Sequence, residues 1–326
     1  MKIATEWEKA ASKARQGLLT ELQSMKVLSD LSEITSGKPL SFHSVEDWLR
    51  SWLEGKKASR AEKTYLRYVV AVEAFLKHLP KNRKEANLGS LAAADIQSFR
   101  DASIASGKSA TTVNMELKIL RTAFNVARKQ AIIPHNPAEA VDTIEADALE
   151  KDVFTPDMVK RLVAAAEDKA INARSAKDRD IFRDWSDLIC AGYFTGARQG
   201  DLVELRRSNV SFDRLVIEFS PQKQQRRLSK KKVAIPIHPE FASRLEKRLE
   251  WLPENADQPI FPALVGKTSG GRNGLSGMFN RLMENAGIQG TIVKGTGKAG
   301  RSKNSLTFHS LRHTFNSALM NAGVSK

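Results

Sequence analysis

Apolar residues recur at helical spacing through the first half of the chain, which predicts a run of amphipathic helices. Short loops separate four such helices between residues 41 and 131, an arrangement typical of a small helical bundle. Residues 1–40 predict one or two further, polar helices. Two stripes carry the pattern most clearly: Tyr68, Val72, Phe75 and Leu79 in one segment, and Val113, Leu117, Leu120, Phe124 and Ala127 in another.

The second half of the chain follows a stretch with two prolines and then several acids, residues 132–152, which we interpret as a linker. Beyond it, helical patterns flank two β-rich runs at 214–220 and 231–237, which predict a β-hairpin. Residues 153–326 therefore form a second domain. The predicted fold is mainly α with a small β-hairpin or sheet, a helical bundle followed by an α+β domain.

The charge of the chain indicates a polyanionic partner. Its 326 residues carry a net charge of +15, and such an excess is typical of proteins that bind nucleic acid. The alternative is a charge that only keeps the protein soluble. Two stretches without acids favour the first interpretation, "PQKQQRRLSKKKV" at 221–233 and "KGTGKAGRSK" at 294–303.

Several other classes of protein are excluded by composition. No apolar run is long enough to span a bilayer, and the polar N-terminal sequence is not a secretory signal. Cys190 is the single cysteine, so neither an intrachain disulfide nor a cysteine zinc site is possible. The sequence "GTGKAG" at 295–300 lacks the strand and helix of a dinucleotide site, and it predicts a basic loop. We therefore expect an intracellular protein without a metal or nucleotide cofactor.

Three predicted helices carry clusters of like-charged residues on one face. Basic residues cluster on two helices of the bundle, either as solvated faces or as contacts to phosphate: Arg60, Lys63 and Arg67 on one, Lys118, Arg121 and Arg128 on the other. On the helix predicted at 178–194, Asp180, Asp184 and Asp187 lie opposite an apolar stripe. Since no histidine or second carboxylate cluster completes a metal site, we interpret these aspartates as a solvated face.

Two short motifs place arginines where helices begin. In "TGARQGDL" (195–202), Gly196 allows a left-handed turn after an apolar helix, and Arg198 follows it. Asp201 falls in the first turn of the helix that follows, where its carboxylate is able to orient Arg198. In "HSLRHTF" (309–315), His309 and Arg312 share a helix face. Two arginines and a histidine beside a lysine-rich hairpin predict a phosphate site.

These motifs resemble those of the tyrosine recombinases of the phage integrase family. "TGARQGDL" is similar to the first arginine box, T-G-x-R-x-x-E-L, with Asp201 in place of the usual glutamate. "HSLRHTF" is similar to the H-x-L-R-H box, and the basic hairpin occupies the expected place between the two. The helices of residues 41–131 resemble the family's core-binding domain. The resemblance covers residues 41–326, with an integrase-like catalytic domain at 153–326.

The resemblance implies site-specific DNA integration and excision through a 3′-phosphotyrosine, without a cofactor. Arg198 and Arg312 would hold the scissile phosphate, and His309 would assist proton transfer. Lys223 best matches the lysine that protonates the leaving oxygen, with Lys230, Lys231 and Lys232 as alternatives. Asp201 and His313 would support this set without direct chemistry. The residues predicted to contact DNA are Arg60, Lys63, Arg67, Lys118, Arg121, Arg226, Arg227, Lys230 and Lys232.

The sequence departs from the family at the nucleophile. The tyrosines of this chain are Tyr65, Tyr68 and Tyr193, and none matches the position of the attacking residue, which lies after the second box. We therefore expect a chain truncated in its catalytic domain, inactive in cleavage and mainly monomeric when free. The complete protein would assemble as a tetramer on double-stranded DNA in a prokaryotic cytoplasm, at the nucleoid.

The sequence is also compatible with two other functions. One is a non-enzymatic DNA-binding relative of the recombinases, which would keep the basic surfaces without cleaving DNA. The other is an enzyme resembling type IB topoisomerases, which use a similar set of phosphate-binding residues. The separate helical domain at 41–131 favours a recombinase over a topoisomerase.

Overall fold

The computed structural model describes residues 2–17, 20–36, 42–145, 150–222, 232–253, 257–271, 273–293 and 303–324. The chain divides between residues 146 and 147 into two compact units, which we call unit 1 and unit 2. None of the helices in these ranges is long and apolar enough to cross a membrane.

Unit 1 is helical throughout its described part. Its helices are α1 (Lys2–Arg15), α2 (Glu21–Ser36), α3 (Val45–Lys57), α4 (Glu62–His78), α5 (Lys81–Glu85), α6 (Ala93–Ala105) and α7 (Ala110–Lys129). The predicted start of α3 is confirmed, because the Ser44 hydroxyl accepts the Asp47 N–H at 3.0 Å and so satisfies a free helical donor.

The core of unit 1 lies between α3, α4, α6 and α7. The stripe predicted on α7 is confirmed, since all five of its side chains are fully buried. Phe75 of α4 is buried in the middle of this core and meets Phe99 and Phe124 edge-on, with ring centroids 5.4 and 6.3 Å apart. Burial of these apolar faces is the main force that holds the bundle together.

Unit 2 combines helices with short strands. Its helices are α8 (Pro156–Ile171), α9 (Ala176–Thr195), α10 (Gln199–Val203), α11 (Pro239–Glu250), α12 (Leu275–Asn285) and α13 (Phe308–Asn321). Its strands are β1 (Val210–Ser211), β2 (Val216–Phe219), β3 (Val233–Pro236), β4 (Ile292–Val293) and β5 (Lys303–Asn304).

The predicted hairpin is confirmed as an antiparallel pair of β2 and β3, in which Ile217 opposes Ile235. Strand β1 adds to the free edge of β2 to give the order β1-β2-β3, and β4 pairs separately with β5. These three added strands have two residues each, which is too short to show an alternating pattern. The fold is therefore mainly α with small antiparallel sheets, as the sequence predicted.

Helix α9 runs through the core of unit 2, where Trp185 is fully buried against Phe279 and Phe308. The predicted solvated face of aspartates on this helix is wrong at two of its three positions. Asp184 is 1% exposed and pairs with Arg248 of α11, and Asp187 pairs with Arg244. A carboxylate can be buried when an arginine neutralises it, and these partners come from a helix far along the chain.

Candidate functional site

The site begins at the turn that ends α9. Gly196 has φ 59° and ψ 15°, a left-handed conformation that glycine adopts without strain. A Cβ atom at Gly196 would overlap the Phe315 ring, and one at Gly192 would lie 2.8 Å from the Phe308 ring. Two glycines therefore allow α9 and α13 to approach closely, and this contact brings the two sequence motifs together.

Arg312 is fixed by that contact. This half-buried side chain of α13 donates a hydrogen bond from Nη1 to the carbonyl oxygen of Gly196 at 2.6 Å. The carbonyl belongs to the turn after α9, where the last helical residues leave acceptors without an intrahelical donor. One nitrogen of the guanidinium thus anchors the side chain while other N–H groups remain available to a ligand.

Arg198 is held more loosely. It is the residue that precedes α10, and its Nη1 lies 3.7 Å from Oδ2 of Asp201, with 42% of the Arg198 side chain exposed. Asp201 is buried and accepts the backbone N–H of Gln222 on its other oxygen at 2.9 Å. Asp201 thus links Arg198 to the segment that leads directly into Lys223, which is a wider role than the sequence predicted.

His309 lies on the same turn of α13 as Arg312. It is exposed, and its ring meets the His313 ring edge-on at 5.0 Å. Partial desolvation is the first cause that lowers the pKa of His309, and the positive charges of His313, Arg312, Arg198 and Lys151 lower it further. These causes favour the neutral ring, and a bound anion would favour its protonated form.

The cluster of Arg198, His309 and Arg312 keeps an excess of positive charge. Within the described ranges, Asp201 is the one carboxylate at ion-pair distance from any of them. The same ranges contain no group of three or more histidine, cysteine, aspartate or glutamate residues placed to hold a metal ion. Two arginine forks and an imidazole on packed elements are suited to the oxygens of a phosphate diester.

The remaining predicted residues are covered only in part by the structure. Lys223, predicted as the catalytic lysine, and Arg226, Arg227 and Lys230, predicted to contact DNA, are outside the described residues. Lys232 is 70% exposed, and its Nζ lies 3.3 Å from Glu218. In unit 1, Lys63, Arg67 and Lys118 are exposed on their helices, and Arg60 is exposed in the loop before α4.

Arg121 has a structural role that the sequence did not indicate. Its Nε donates to the carbonyl oxygen of Ala138 at 2.8 Å, and Nη2 donates to that of Val141. The guanidinium thereby ties the segment after α7 back onto this helix. These two bonds occupy its Nε and Nη2 groups, and the phosphate contact predicted for Arg121 stays a prediction.

Lys151 is the neighbour of the site that sequence reasoning missed. Its charge is among those that lower the pKa of His309, although it falls within the acidic linker predicted at 132–152. Neither its spacing nor its neighbours in the sequence marked it, because its position depends on contacts with residues far along the chain.

The tyrosines of the chain are packed away from this cluster or lie in unit 1. Tyr68 stacks on Trp52 in unit 1, with ring centroids 5.2 Å apart. Tyr193 contacts Phe194 and lines a cavity of about 850 Å³ between α8, α9 and α11, together with His238 and Trp251. The lining of that cavity includes neither arginine of the cluster nor His309.

Comparison with known families gives two matches in chain order. Residues 45–131 match the profile described as phage integrase, N-terminal SAM-like domain, and residues 152–326 match that of the phage integrase family. The second match alone covers more than half of the chain. No curated protein sequence matches.

Several solved integrase structures have a fold similar to that of this chain. A lambda integrase dimer bound to a COC′ core site is 20% identical, with a TM-score of 0.61 over 86% of this chain and 91% of that one. The Tn1549 transposon integrase in complex with transposon right end DNA is 17% identical, with a TM-score of 0.64 over 87% and 88%. A lambda integrase tetramer on a Holliday junction is 21% identical, with a TM-score of 0.59 over 94% and 81%. At these identities the likeness describes the fold.

Proposed function

Because the chain belongs to the phage integrase family, we propose that its unit 2 performs the strand cleavage and rejoining of site-specific DNA recombination. The observation that carries this proposal is the cluster of Arg198, His309 and Arg312, assembled by the close packing of α9 on α13. Within the described residues the cluster retains net positive charge, whereas Arg244 and Arg248 of the same unit are paired with carboxylates. Net positive charge is the property that a site for a phosphate diester needs.

Each member of the cluster has a distinct task in this mechanism. Arg198 and Arg312 bind the non-bridging oxygens of the scissile phosphate and stabilise the charge of the pentavalent transition state. His309 donates a hydrogen bond to the same phosphate once it is protonated. Asp201 orients Arg198 and holds Gln222. Lys223, which follows Gln222 in the sequence, is proposed to protonate the leaving 5′-oxygen.

The partner in this proposal is double-stranded DNA, and the site works within a tetramer on two duplexes. The net charge of +15 supports the choice of partner. Related folds have been captured as a dimer and a tetramer on DNA, which supports the assembly. The free chain is proposed to be mainly monomeric, and the place of action to be the nucleoid in a prokaryotic cytoplasm.

Covalent attack by a tyrosine of this chain is not part of the proposal. Tyr65 and Tyr68 belong to the bundle of unit 1, and Tyr193 lines the cavity beside α11. We therefore propose that residues 1–326 bind DNA but form no phosphotyrosine adduct. The cluster would still polarise a bound phosphate toward a small nucleophile supplied from solution.

A cleavage assay on the 326-residue protein tests this function. Duplexes carrying its binding site, selected from a randomised pool, are nicked next to the cleavage position and incubated with and without hydrogen peroxide as a small nucleophile. We expect cleavage at one position with peroxide, no protein–DNA adduct, and loss of cleavage in Arg198→Ala and Arg312→Ala. Site-independent relaxation of plasmid DNA would instead favour the topoisomerase alternative.

Two results would overturn parts of the proposal. A protease-sensitive adduct would mean that Tyr65, Tyr68 or Tyr193 attacks after all, and replacing each with phenylalanine would identify it. Site-specific binding without any peroxide-dependent cleavage would favour the non-enzymatic DNA-binding relative.

A further inference from the structure

The residues just before α8 run along the elements that carry His309 and Arg312. Lys151 donates from Nζ to the carbonyl oxygen of Asn304 in β5 at 3.5 Å. The hydroxyl of the buried residue Ser305 donates to the carboxylate of Asp152 and also accepts the Thr291 N–H at 2.8 Å. The end of the predicted linker is therefore attached to the strand that leads into α13.

A third contact extends this attachment onto the helix. The backbone N–H of Phe154 donates to Oγ1 of Thr314 at 2.8 Å, and that hydroxyl donates to the carbonyl oxygen of Ser310 at 2.9 Å. The Phe154 side chain is 2% exposed and meets the Phe279 ring edge-on. Residues 151–154 thus have a fixed place beside the first two turns of α13.

These contacts fix the segment that carries the Lys151 ammonium beside α13, the helix that carries His309 and Arg312. Lys151 is exposed, and no carboxylate of the described residues lies within 4 Å of its Nζ. The carboxylate next to it, Asp152, is turned toward Ser305. Burial is the first cause that lowers the pKa of His309, and the charge of Lys151 adds to those of His313, Arg312 and Arg198 in lowering it further. This agrees with the position of Lys151 beside α13.

We propose that Lys151 is a further phosphate-binding residue of this site, joining Arg198, His309 and Arg312 on the DNA backbone. The inference rests on the proposed function. An ammonium carries three donors, of which the contact with Asn304 uses one, so two remain for phosphate oxygens. Unlike an arginine fork, the ammonium acts as a compact charge with no fixed orientation, which suits an oxygen at the edge of the site.

The test uses inorganic phosphate as the probe and the His309 ring as the reporter. Nuclear magnetic resonance follows the His309 ring proton, assigned with His309→Gln, while phosphate is added to the 326-residue protein. Lys151→Gln removes the charge but keeps a donor for Asn304, and Lys151→Arg keeps the charge. We expect the phosphate affinity to fall about threefold to tenfold in Lys151→Gln, the scale of one partly screened charge contact. Lys151→Arg should retain wild-type affinity.

Control variants distinguish a failure of phosphate binding by Lys151 from a failure of the proposed function. Lys160→Gln alters an exposed lysine of α8 whose charge is not among those acting on His309, and it should bind phosphate like the wild type. If Lys151→Gln matches Lys160→Gln while Arg198→Ala and Arg312→Ala lose phosphate, the inference about Lys151 is overturned and the proposed function stands. If the two arginine variants also bind normally, the site itself is wrongly assigned.

Discussion

Unit 2 contains two pairs of arginines in opposite surroundings. Arg244 and Arg248 of α11 face carboxylates of α8 and α9, and in the pair of Arg248 with Asp184 the side chains are only 7% and 2% exposed. Within the described residues, Arg198 has a single carboxylate at ion-pair distance, that of Asp201, and Arg312 has none. Both arginines belong to a group of positive charges that act on His309. Residue type alone does not separate the two pairs; their neutralising partners do.

The difference teaches how to distinguish a structural charge from a functional one. Burial lowers the pKa of Arg248 to about 10, so the side chain stays charged and needs its carboxylates at every physiological pH. Within the described residues the cluster around Arg312 lacks such neutralisation. Burial first, and then the repulsion of neighbouring cations, lowers the pKa of His309. An anion would relieve that repulsion, so the second cluster is built for a ligand that the first would exclude.

The largest expected effect comes from breaking the neutralised pair. Arg248→Ala leaves Asp184 buried without its partner, which typically lowers the free energy of unfolding by about 3–5 kcal/mol. Urea unfolding of the variant would measure this. The matched control is Arg214→Ala, which breaks an exposed pair with Glu218 and should cost less than about 1 kcal/mol. If both variants lose the same free energy of unfolding, burial of the pair of Arg248 with Asp184 does not increase the cost of breaking it.

Removing Arg312 should affect DNA cleavage strongly and the free energy of unfolding only slightly. Arg312→Ala is expected to lower the rate of peroxide-dependent DNA cleavage by an amount equivalent to about 3 kcal/mol, as for loss of one transition-state donor. Its free energy of unfolding should fall by only about 1 kcal/mol, for the lost hydrogen bond to Gly196. A stability loss as large as that of Arg248→Ala would remove the distinction between the two clusters.

The turn that brings the motifs together should be sensitive to one methyl group. Gly196→Ala combines a positive φ with overlap on Phe315, and we expect a loss of about 1–3 kcal/mol in the free energy of unfolding. Phosphate affinity should fall as well, although both arginines are still present. The control is Gly200→Ala, where the nearest atom to the new methyl group would be 3.8 Å away. Similar behaviour of the two variants would contradict a packing role for Gly196.

The smallest expected effect is the titration of His309. Its pKa is lowered, so its midpoint should lie below the ordinary value of about 6.5. Phosphate should raise the midpoint, and phosphate affinity should therefore increase as the pH falls through it. In Arg312→Ala the midpoint of the free protein should rise, because one repelling charge is gone. If neither phosphate nor Arg312→Ala shifts the titration midpoint of His309, this residue does not belong to the cluster.

The helices and the two motifs could be predicted because their signals are local. Helical spacing reports which face is buried, and the Gly196 turn with Arg198 after it occupies a few adjacent residues. The burial of Asp184 could not be predicted this way, because its arginine partner lies on another helix and nothing in the aspartate spacing marks it. The place of Lys151 depends on pairing between residues 153 positions apart. Local sequence therefore indicated the arginines of the proposed site but not the surroundings that distinguish them from the paired arginines.

The hydrogen bond between Arg312 and Gly196 spans 116 positions of the chain, and this separation has a consequence for folding. Contacts between distant residues form slowly, because the loop between them must close first. Unit 1 is built from helices that are neighbours in sequence, and domains made earlier on the ribosome generally fold first. We therefore expect a nascent chain to hold a folded bundle while its phosphate site does not yet exist, until α13 is synthesised and docks on α9.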